Sequence, residues 1–303
     1  MMAVNPFQAP GRWFRGNTHS HSTESDGKLS VQDRFAAYRD GGYDFLVLTD
    51  HRKVSDVSNE SRPGFLAISG SEVHPENPYG GDRYHFVAVN IHEPIRDTEL
   101  DANETIEAIR AQGGEAIVCH PYWCGHTIND LQPLKGYFAV EVFNATCRAL
   151  IGKGFSEPHW DDVLDKVGPT FGIAADDAHG TDHDVFQGWV MLKAAELTTP
   201  SILEAFRTGA FYSTMGPEIA DLQLVEAPGA NRGGQPQRKV VVRCSPAQSI
   251  TFKAQRSRGR HVLPPAGDLL TEAEYPLTGG ERYVRVEVTA PDGKKAWSNP
   301  LFF

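Results

Sequence analysis

Residues 31–50, VQDRFAAYRDGGYDFLVLTD, contain the pattern that decides the fold. The first part follows Ser30, a suitable N-cap, and stops at Gly41-Gly42, so it predicts a helix. The second part, DFLVLTD (44–50), has the length of a strand and is apolar on both faces of an extended chain. A helix followed directly by a buried strand predicts an α/β fold.

This alternation continues to about residue 210. Six apolar runs have strand length: DFLVLTD (44–50), FLAISGSE (65–72), YHFVAVNI (84–91), EAIVCH (115–120), YFAVEVF (137–143) and TFGIAAD (170–176). Helix-like segments lie between several of them: VQDRFAAYRDGG (31–42), TELDANETIEAIRAQGG (98–114) and HWDDVLDKVG (159–168). Together the two kinds of segment predict a parallel sheet or an α/β barrel.

The pattern changes after the turn Met215-Gly216-Pro217. The rest of the chain contains short, partly alternating strands separated by Gly, Pro and Asn turns, with almost no helical periodicity. Such a pattern predicts a compact antiparallel β-domain of the sandwich type. We therefore expect two domains, residues 1–217 and 218–303.

The composition is that of an ordinary globular protein. The 303 residues are 40% hydrophobic and 22% charged, and the formal net charge is −10. Without a block of Lys and Arg, this charge disfavours long nucleic acid as a partner, because binding to it depends on neutralising phosphates. A small anionic substrate stays possible, since bound metal ions can reverse the local charge of an acidic site.

The four cysteines form no CxxC pair and are too few for a disulfide framework, so we expect reduced thiols. The N-terminal residues show no basic segment followed by an apolar run, and we expect no signal peptide. No stretch approaches the roughly 20 apolar residues that span a bilayer. These features predict a cytoplasmic protein without a membrane partner.

Two histidines one residue apart occur in GNTHSHSTESDG (16–27). In a strand, positions i and i+2 face the same side, so His19 and His21 would stand together. Two neutral imidazoles that face one point suit a divalent cation, although two surface histidines near a strand end would give the same pattern.

Other imidazoles and carboxylates also lie at strand ends. They are Asp50 and His51 after the second strand, Glu72 after the third, His85 at the start of the fourth, His120 after the fifth, Glu141 late in the sixth, and Asp177 and His179 after the seventh. Singly, each is typical of a structural histidine or a capping aspartate. In an α/β barrel, however, the C-terminal strand ends share one rim, so the joint pattern predicts a metal site there.

The motifs resemble those of the PHP (polymerase and histidinol phosphatase) superfamily over roughly residues 13–215. The matching motifs, in order, are HSHSTESDG (19–27), LTDH (48–51), SGSE (69–72), the isolated His85, VCHP (118–121) and DDAH (176–179). The resemblance implies a distorted seven-stranded (β/α) barrel with two or three Zn, Mn or Fe ions. The C-terminal β-domain resembles that of a two-domain subgroup of predicted phosphoesterases.

The resemblance also implies three ligand sets, which would form a trinuclear site. The first ion would be held by His19, His21, Glu72 and Asp177, the second by Glu72, His85 and His120, and the third by Asp26, His51 and His179. The mixed nitrogen and oxygen donors suit Zn²⁺, Mn²⁺ or Fe²⁺.

Further residues near the motifs are candidates for supporting roles. We expect Asp50 and Asp176 to orient imidazoles, and Glu141 either to do the same or to contact substrate. Arg148 and Asn144 are candidate substrate contacts, because an arginine can grip a phosphate with two hydrogen bonds.

The implied function is hydrolysis of a small-molecule phosphate ester, such as a nucleotide, a sugar phosphate or a cyclic phosphodiester. The attacking group would be a hydroxide held between metal ions, with Glu72, Asp177 and His179 as the catalytic residues. The alternatives are a metal-dependent hydrolase of carbamates or other carboxylic esters, and an exonuclease on short oligonucleotides. The substrate, the native metal and the oligomeric state stay open.

Overall fold

The computed structural model describes residues 3–230 and 236–303. Seven strands follow one another in chain order around a curved sheet: β1 (Arg12–Asn17), β2 (Phe45–Leu48), β3 (Leu66–Val73), β4 (Phe86–Val89), β5 (Glu115–Val118), β6 (Ala139–Asn144) and β7 (Phe171–Ala175). The helices between them are α1 (Val31–Asp40), α2 (Ala102–Ala111), α3 (Ile128–Leu131), α4 (Ala145–Ile151) and α5 (Glu157–Lys166). The α/β class predicted from the sequence is confirmed.

The first predicted helix shows why the local pattern was informative. The side chain of Ser30 accepts a hydrogen bond from the backbone N–H of Asp33, which caps the start of α1. The helix ends before Gly41, and β2 that follows it is buried over its whole length. The predicted order of helix and strand is therefore confirmed, with the helix two residues shorter than expected.

The direction of β4 differs from the expectation of a parallel sheet. β1, β2 and β3 are parallel, as are β5, β6 and β7, but β4 is antiparallel to both of its neighbours. A loop without a helix joins β3 to β4, whereas parallel neighbours are usually joined by a crossover that contains a helix. The start of β4 consequently lies at the same rim as the ends of the other strands.

The barrel closes just beyond the ends of β1 and β7. Ser20 and Ala178 form an isolated parallel bridge, in which His21 N–H donates to the carbonyl of Ala178 at 2.9 Å. The N–H of Asp177 donates to the carbonyl of His19 at 3.0 Å. The backbone that carries the predicted metal ligands therefore also closes the barrel.

The large sheet does not stop at the barrel. From β1 it continues through β8 (Trp189–Ala194) and β9 (Phe211–Thr214), and α6 (Thr199–Thr208) lies between these two strands in the chain. Next to β9 the sheet continues through β16 (Lys295–Ser298), β15 (Tyr283–Thr289), β12 (Ser249–Ala254) and β13 (Gly259–Val262). The short strand β17 (Leu301–Phe302) pairs with β15. The remaining strands, β10 (Ile219–Ala230), β11 (Pro236–Ala247) and β14 (Leu270–Pro276), form a three-stranded antiparallel sheet.

These two sheets share an apolar core that includes Val242, Phe252 and Val286. The all-β character predicted for the C-terminal part is thus observed. The separate sandwich and the boundary at residue 217/218 stay predictions, because one of the two sheets is continuous with the barrel through the pairing of β9 with β16.

The sequence also predicts reduced cysteines and no segment long and apolar enough to span a membrane. All four cysteines are buried, and none of them forms a disulfide. Within residues 3–230 and 236–303, no helix has both the length and the apolar character needed to cross a bilayer. The cytoplasmic location stays a prediction.

Ion pairs join α5 to the C-terminal strands. Fully buried Arg285 donates to Asp161 of α5 at 2.9 Å and to Glu287 at 2.7 Å, and its guanidinium lies 4.4 Å from the centre of the Trp160 ring. Because a buried charge needs partners, this arginine links the last strands to the barrel electrostatically as well as through strand pairing.

We expect Arg285→Ala to lower the free energy of unfolding by about 3–5 kcal/mol, because it leaves buried Glu287 without its main counter-charge. The matched control is Arg243→Ala, which removes a mostly exposed arginine paired with Asp221 and should cost about 1 kcal/mol or less. Urea unfolding of both variants measures the difference. Equal losses would contradict the role given to Arg285.

Candidate metal centre

The structure brings all nine predicted metal ligands to one rim of the barrel. They are His19, His21, Asp26, His51, Glu72, His85, His120, Asp177 and His179. Most follow the C-terminal end of a strand, whereas His85 precedes β4. It reaches the same rim because β4 runs in the opposite direction. The assignment of the nine to individual ions stays a prediction.

Glu72 lies at the centre of this group and is only 1% exposed. Three imidazole nitrogens surround its Oε2 atom: His51 Nδ1 at 3.0 Å, His19 Nε2 at 3.2 Å and His21 Nε2 at 3.4 Å. Three others surround its Oε1 atom: His85 Nδ1 at 2.7 Å, His120 Nε2 at 3.4 Å and His74 Nε2 at 3.5 Å. Each carboxylate oxygen thus faces its own set of imidazole nitrogens.

Asp177 completes the group on the Oε2 side. Its Oδ1 atom lies 3.0 Å from His21 Nε2 and 3.2 Å from His19 Nε2. With Glu72, these residues offer four ligand atoms that all lie within 4.8 Å of one another. This is the set that the resemblance implies for the first ion.

A second group lies nearer the mouth of the rim. The carboxylate of Asp26 is 3.3 Å from His179 Nε2 and 3.4 Å from His51 Nε2, and its side chain is 55% exposed. With His21, these residues offer another set of ligand atoms within 4.8 Å. The structure thus brings together the residues that the resemblance groups around a third ion.

Two buried nitrogens at the centre have no hydrogen-bond partner, namely His19 Nε2 and His21 Nδ1. A buried polar atom without a partner costs about 1–3 kcal/mol, so such atoms are uncommon in stable proteins. His19 Nε2 faces Glu72 and Asp177, where a divalent cation would satisfy it, and the surrounding donors are imidazoles and carboxylates of the kind that bind Zn²⁺, Mn²⁺ and Fe²⁺. The residues present therefore fit bound divalent metal.

Burial and neighbouring charges shift the pKa values of the groups at the centre. Burial raises the pKa of Glu72, but the charges of His19 and His85 outweigh this effect and hold the pKa well below its usual range. Burial likewise raises the pKa of Asp177, and the neighbouring imidazoles bring it below its usual range. Burial lowers the pKa of His21 and of His85 to about 4. Burial also lowers the pKa of His19, but the charge of Asp177 outweighs this effect and raises it well above its usual value. The centre thus combines carboxylates of lowered pKa with imidazoles whose pKa values are shifted in both directions.

Glu141 orients one of these imidazoles. Its Oε1 atom lies 2.7 Å from His19 Nδ1, and its Oε2 atom accepts a hydrogen bond from the backbone N–H of His120 at 3.0 Å. The contact at Nδ1 leaves His19 Nε2 directed at the centre, as is usual for metal-binding histidines. Of the two roles considered for Glu141, the structure places it in the orienting one.

Among the described residues, Asp50 and Asp176 hydrogen-bond to hydroxyls and backbone N–H groups and not to imidazoles. Asp50 accepts hydrogen bonds from the hydroxyls of Ser22, Ser25 and Ser55, which outweigh burial and lower its pKa. Asp176 accepts from Tyr38 and from the backbone N–H groups of residues 186–188, and burial raises its pKa to about 6. Both carboxylates shape the loops of the rim, so their predicted contact with imidazoles is corrected.

The two candidate substrate contacts also face elsewhere. Asn144 is buried and donates to Glu141 and Asp177, while its side-chain oxygen caps α4. Arg148 is exposed on α4 and lines a neighbouring recess with His183. Asn144 is thus used within the centre, and Arg148 lines the recess next to the cavity, so the substrate contacts of both stay predictions.

Backbone strain is concentrated at this rim. Arg52, which follows His51, has φ 53°, while His120 has φ 25° and Asp177 has φ 55°. These are three of the six non-glycine residues with positive φ in the described ranges. Such conformations cost of order 1–3 kcal/mol and are found where function requires a particular direction of a side chain.

Sequence reasoning missed His74. Its Nε2 atom belongs to the group around Glu72 Oε1, and the residue is 8% exposed. The signal was present, because His74 follows Glu72 by two residues, the spacing that drew attention to His19 and His21.

A cavity of about 590 Å³ opens above the centre. The metal-ligand candidates form its floor, and Trp123 packs edge-on against the rings of His85 and His120. Leu150 and Ala149 of α4 contribute an apolar wall, and Lys28 contributes a cation. This volume is in the range of pockets that bind small molecules.

Comparison with solved structures identifies the fold. A two-domain protein from Bacteroides vulgatus, containing a predicted PHP-like metal-dependent phosphoesterase, matches with a TM-score of 0.51 at 18% identity. The match covers 99% of each chain. This chain has the PHP-like fold. The resemblance seen in the sequence motifs is thus confirmed at the level of the fold, over both parts of the chain.

Two further solved structures match a smaller part of the chain. One is a proposed metal-dependent phosphoesterase from Bifidobacterium adolescentis, with a TM-score of 0.43, 13% identity, and coverage of 55% of this chain and 88% of that one. The other is an amidohydrolase from Chromobacterium violaceum with bound sulfate and no metal, with a TM-score of 0.42, 17% identity, and coverage of 56% and 89%. No protein-family model and no curated protein sequence matches the chain.

Replacing Glu141 tests the geometry of the centre. We expect Glu141→Ala to weaken binding of divalent metal by about 10–100-fold, because His19 loses the contact that orients it. Competition with a chelator, followed by elemental analysis, measures this affinity. The control is Glu274→Ala, which removes an exposed carboxylate of β14 and should leave metal binding unchanged. Wild-type affinity in Glu141→Ala would show that the contact is dispensable.

Proposed function

We propose that the chain is a metal-dependent hydrolase of small-molecule phosphate esters. The observation that carries the proposal is the surroundings of Glu72, where three imidazole nitrogens lie near each carboxylate oxygen. A carboxylate so placed can bridge two cations. Asp177 and Asp26 add the further negative charge that a cluster of divalent ions requires.

Bound divalent ions would supply an activated water and positive charge beside the oxygens of a phosphate group. The chain's own residues prepare the centre for this chemistry. Glu72 and Asp177 hold negative charge near neutral pH, because imidazoles depress their pKa values. His179 Nδ1 donates to the carbonyl of Asp177 at 2.8 Å, which directs Nε2 towards Asp26 at the cavity wall.

The ligand groups support the finer assignment to two or three ions of Zn²⁺, Mn²⁺ or Fe²⁺. His19, His21, Glu72 and Asp177 would hold the first, Glu72, His85 and His120 the second, and Asp26, His51 and His179 the third. Every set mixes nitrogen and oxygen donors, which is the chemistry that these three metals accept.

The cavity supports a small substrate. Its volume of about 590 Å³ suits a nucleotide, a sugar phosphate or a cyclic phosphodiester. The formal net charge of −10 disfavours long nucleic acid, which would need an extended cationic surface. The metal ions would therefore attract the phosphate, while Trp123 and the α4 wall would contact the rest of the molecule.

A substrate panel tests the reaction class. The protein loaded with Zn²⁺, Mn²⁺ or Fe²⁺ is offered phosphomonoesters, cyclic phosphodiesters, dinucleotides and aryl carbamates. We expect cleavage of at least one mononucleotide, sugar phosphate or cyclic phosphodiester. Turnover of carbamates alone would replace the proposal with the carboxylic-ester alternative, and cleavage of dinucleotides alone would replace it with the nuclease alternative.

Glu72→Ala tests the part played by the bridging carboxylate. We expect kcat/KM to fall by more than about 100-fold and the metal content to fall as well, because both oxygens of the side chain face ligand groups. Glu274→Ala again serves as the control. Retained turnover with full metal content would remove Glu72 from the reaction.

A further inference from the structure

We propose that His74 is a further ligand of the ion that Glu72 Oε1, His85 and His120 surround. This inference rests on the proposed metal-dependent function, but it concerns metal binding and is tested without turnover. It changes the predicted set of two imidazoles and one carboxylate into a set of three imidazoles and one carboxylate.

The position of the ring supports this role. His74 Nε2 lies 3.5 Å from Glu72 Oε1, a distance close to the 3.4 Å of His120 Nε2. The ring of His74 also packs on that of His85, with centroids 4.1 Å apart. All of these side chains therefore approach the same carboxylate oxygen from different strands and loops.

The backbone holds His74 in this position. The N–H of His74 donates to the carboxylate of Asp97, which is 2% exposed. Arg52 donates to the same carboxylate at 2.9 Å and to the carbonyl of His74 at 3.2 Å. Because this support uses only the main chain of His74, its imidazole is left for the centre.

His51 offers the competing explanation. Its Nδ1 atom lies 3.2 Å from His74 Nε2, so His74 could serve only to position His51. The same Nδ1 atom, however, lies 3.0 Å from Glu72 Oε2. A carboxylate is a stronger acceptor for an imidazole N–H than a second imidazole is, so Glu72 already gives His51 Nδ1 a partner. His74 is therefore not needed to position His51.

The proposal also concerns which metal occupies this position. Imidazole suits Zn²⁺ and Fe²⁺, whereas carboxylates suit Mn²⁺. The ion beside His74, His85 and His120 would have mainly nitrogen donors, while the ion beside Asp177 would have equal numbers of nitrogen and oxygen donors. We therefore infer that the position of His74 prefers Zn²⁺ or Fe²⁺ to Mn²⁺.

The test compares metal content and affinity in single variants, using Zn²⁺ and Mn²⁺ as probes. We expect His74→Ala to weaken the binding of one Zn²⁺ by at least about 10-fold and to reduce the preference of that position for Zn²⁺ over Mn²⁺. His92→Ala, which removes an exposed histidine outside the centre, is the matched control. Wild-type Zn²⁺ affinity and content in His74→Ala would overturn the proposal.

Double variants decide which ion His74 serves. If His74 shares an ion with His120, the double variant His74→Ala/His120→Ala should bind as much Zn²⁺ as the single variant His120→Ala. The combination with His179→Ala should bind one Zn²⁺ fewer than His179→Ala alone. The reverse pattern would assign His74 to the group of His51 and refute the proposal.

Two further measurements distinguish a lost metal ligand from a misfolded variant. His74→Gln retains most of the side-chain volume, and circular dichroism of the metal-free variants shows whether they fold. A loss of Zn²⁺ in folded His74→Gln supports the proposal, and full retention refutes it. If the wild-type protein binds metal in the expected pattern but cleaves no phosphate ester, the proposed function fails while the assignment of His74 stands.

Discussion

The structure depends on one buried carboxylate. Glu72 lies on a central strand of the barrel, and six imidazole nitrogens surround its two oxygens. A buried charge is costly unless it is compensated, and the imidazoles around this carboxylate supply the compensation. The candidate ligand residues therefore also neutralise a charge that this fold buries in its interior.

Barrel closure and ligand placement use the same backbone. The hydrogen bonds between His19 and Asp177, and between His21 and Ala178, join the two ends of the barrel and set the directions of three ligand side chains. Glu141 then orients the ring of His19. Because these contacts lie within one rigid rim, the ligand atoms are held in place before a metal ion arrives, which favours tight binding.

The C-terminal strands extend this scaffold and do not touch the centre through any of the contacts described above. Their sheet continues from the barrel through β9 and β16, and Arg285 adds a buried ion pair to Asp161 of α5. The cavity wall comes instead from α4 and from the loop of Trp123. Substrate selectivity is thus expected to reside in the barrel, while the C-terminal part stabilises the side of the barrel that carries α5.

The sequence alone determined the class of the fold and most of the centre. Local chemistry was sufficient for the fold class and for the pairing of His19 with His21, because the cap at Ser30 and the two-residue spacing act over a few residues. The wider set of candidate ligands followed from the strand ends and from the resemblance to the PHP superfamily. Tertiary structure decided the direction of β4, the inclusion of His74 and the true contacts of Asn144. Strand direction depends on the path of a whole connection, and the target of a side chain depends on neighbours distant in sequence. Neither is encoded in a short motif.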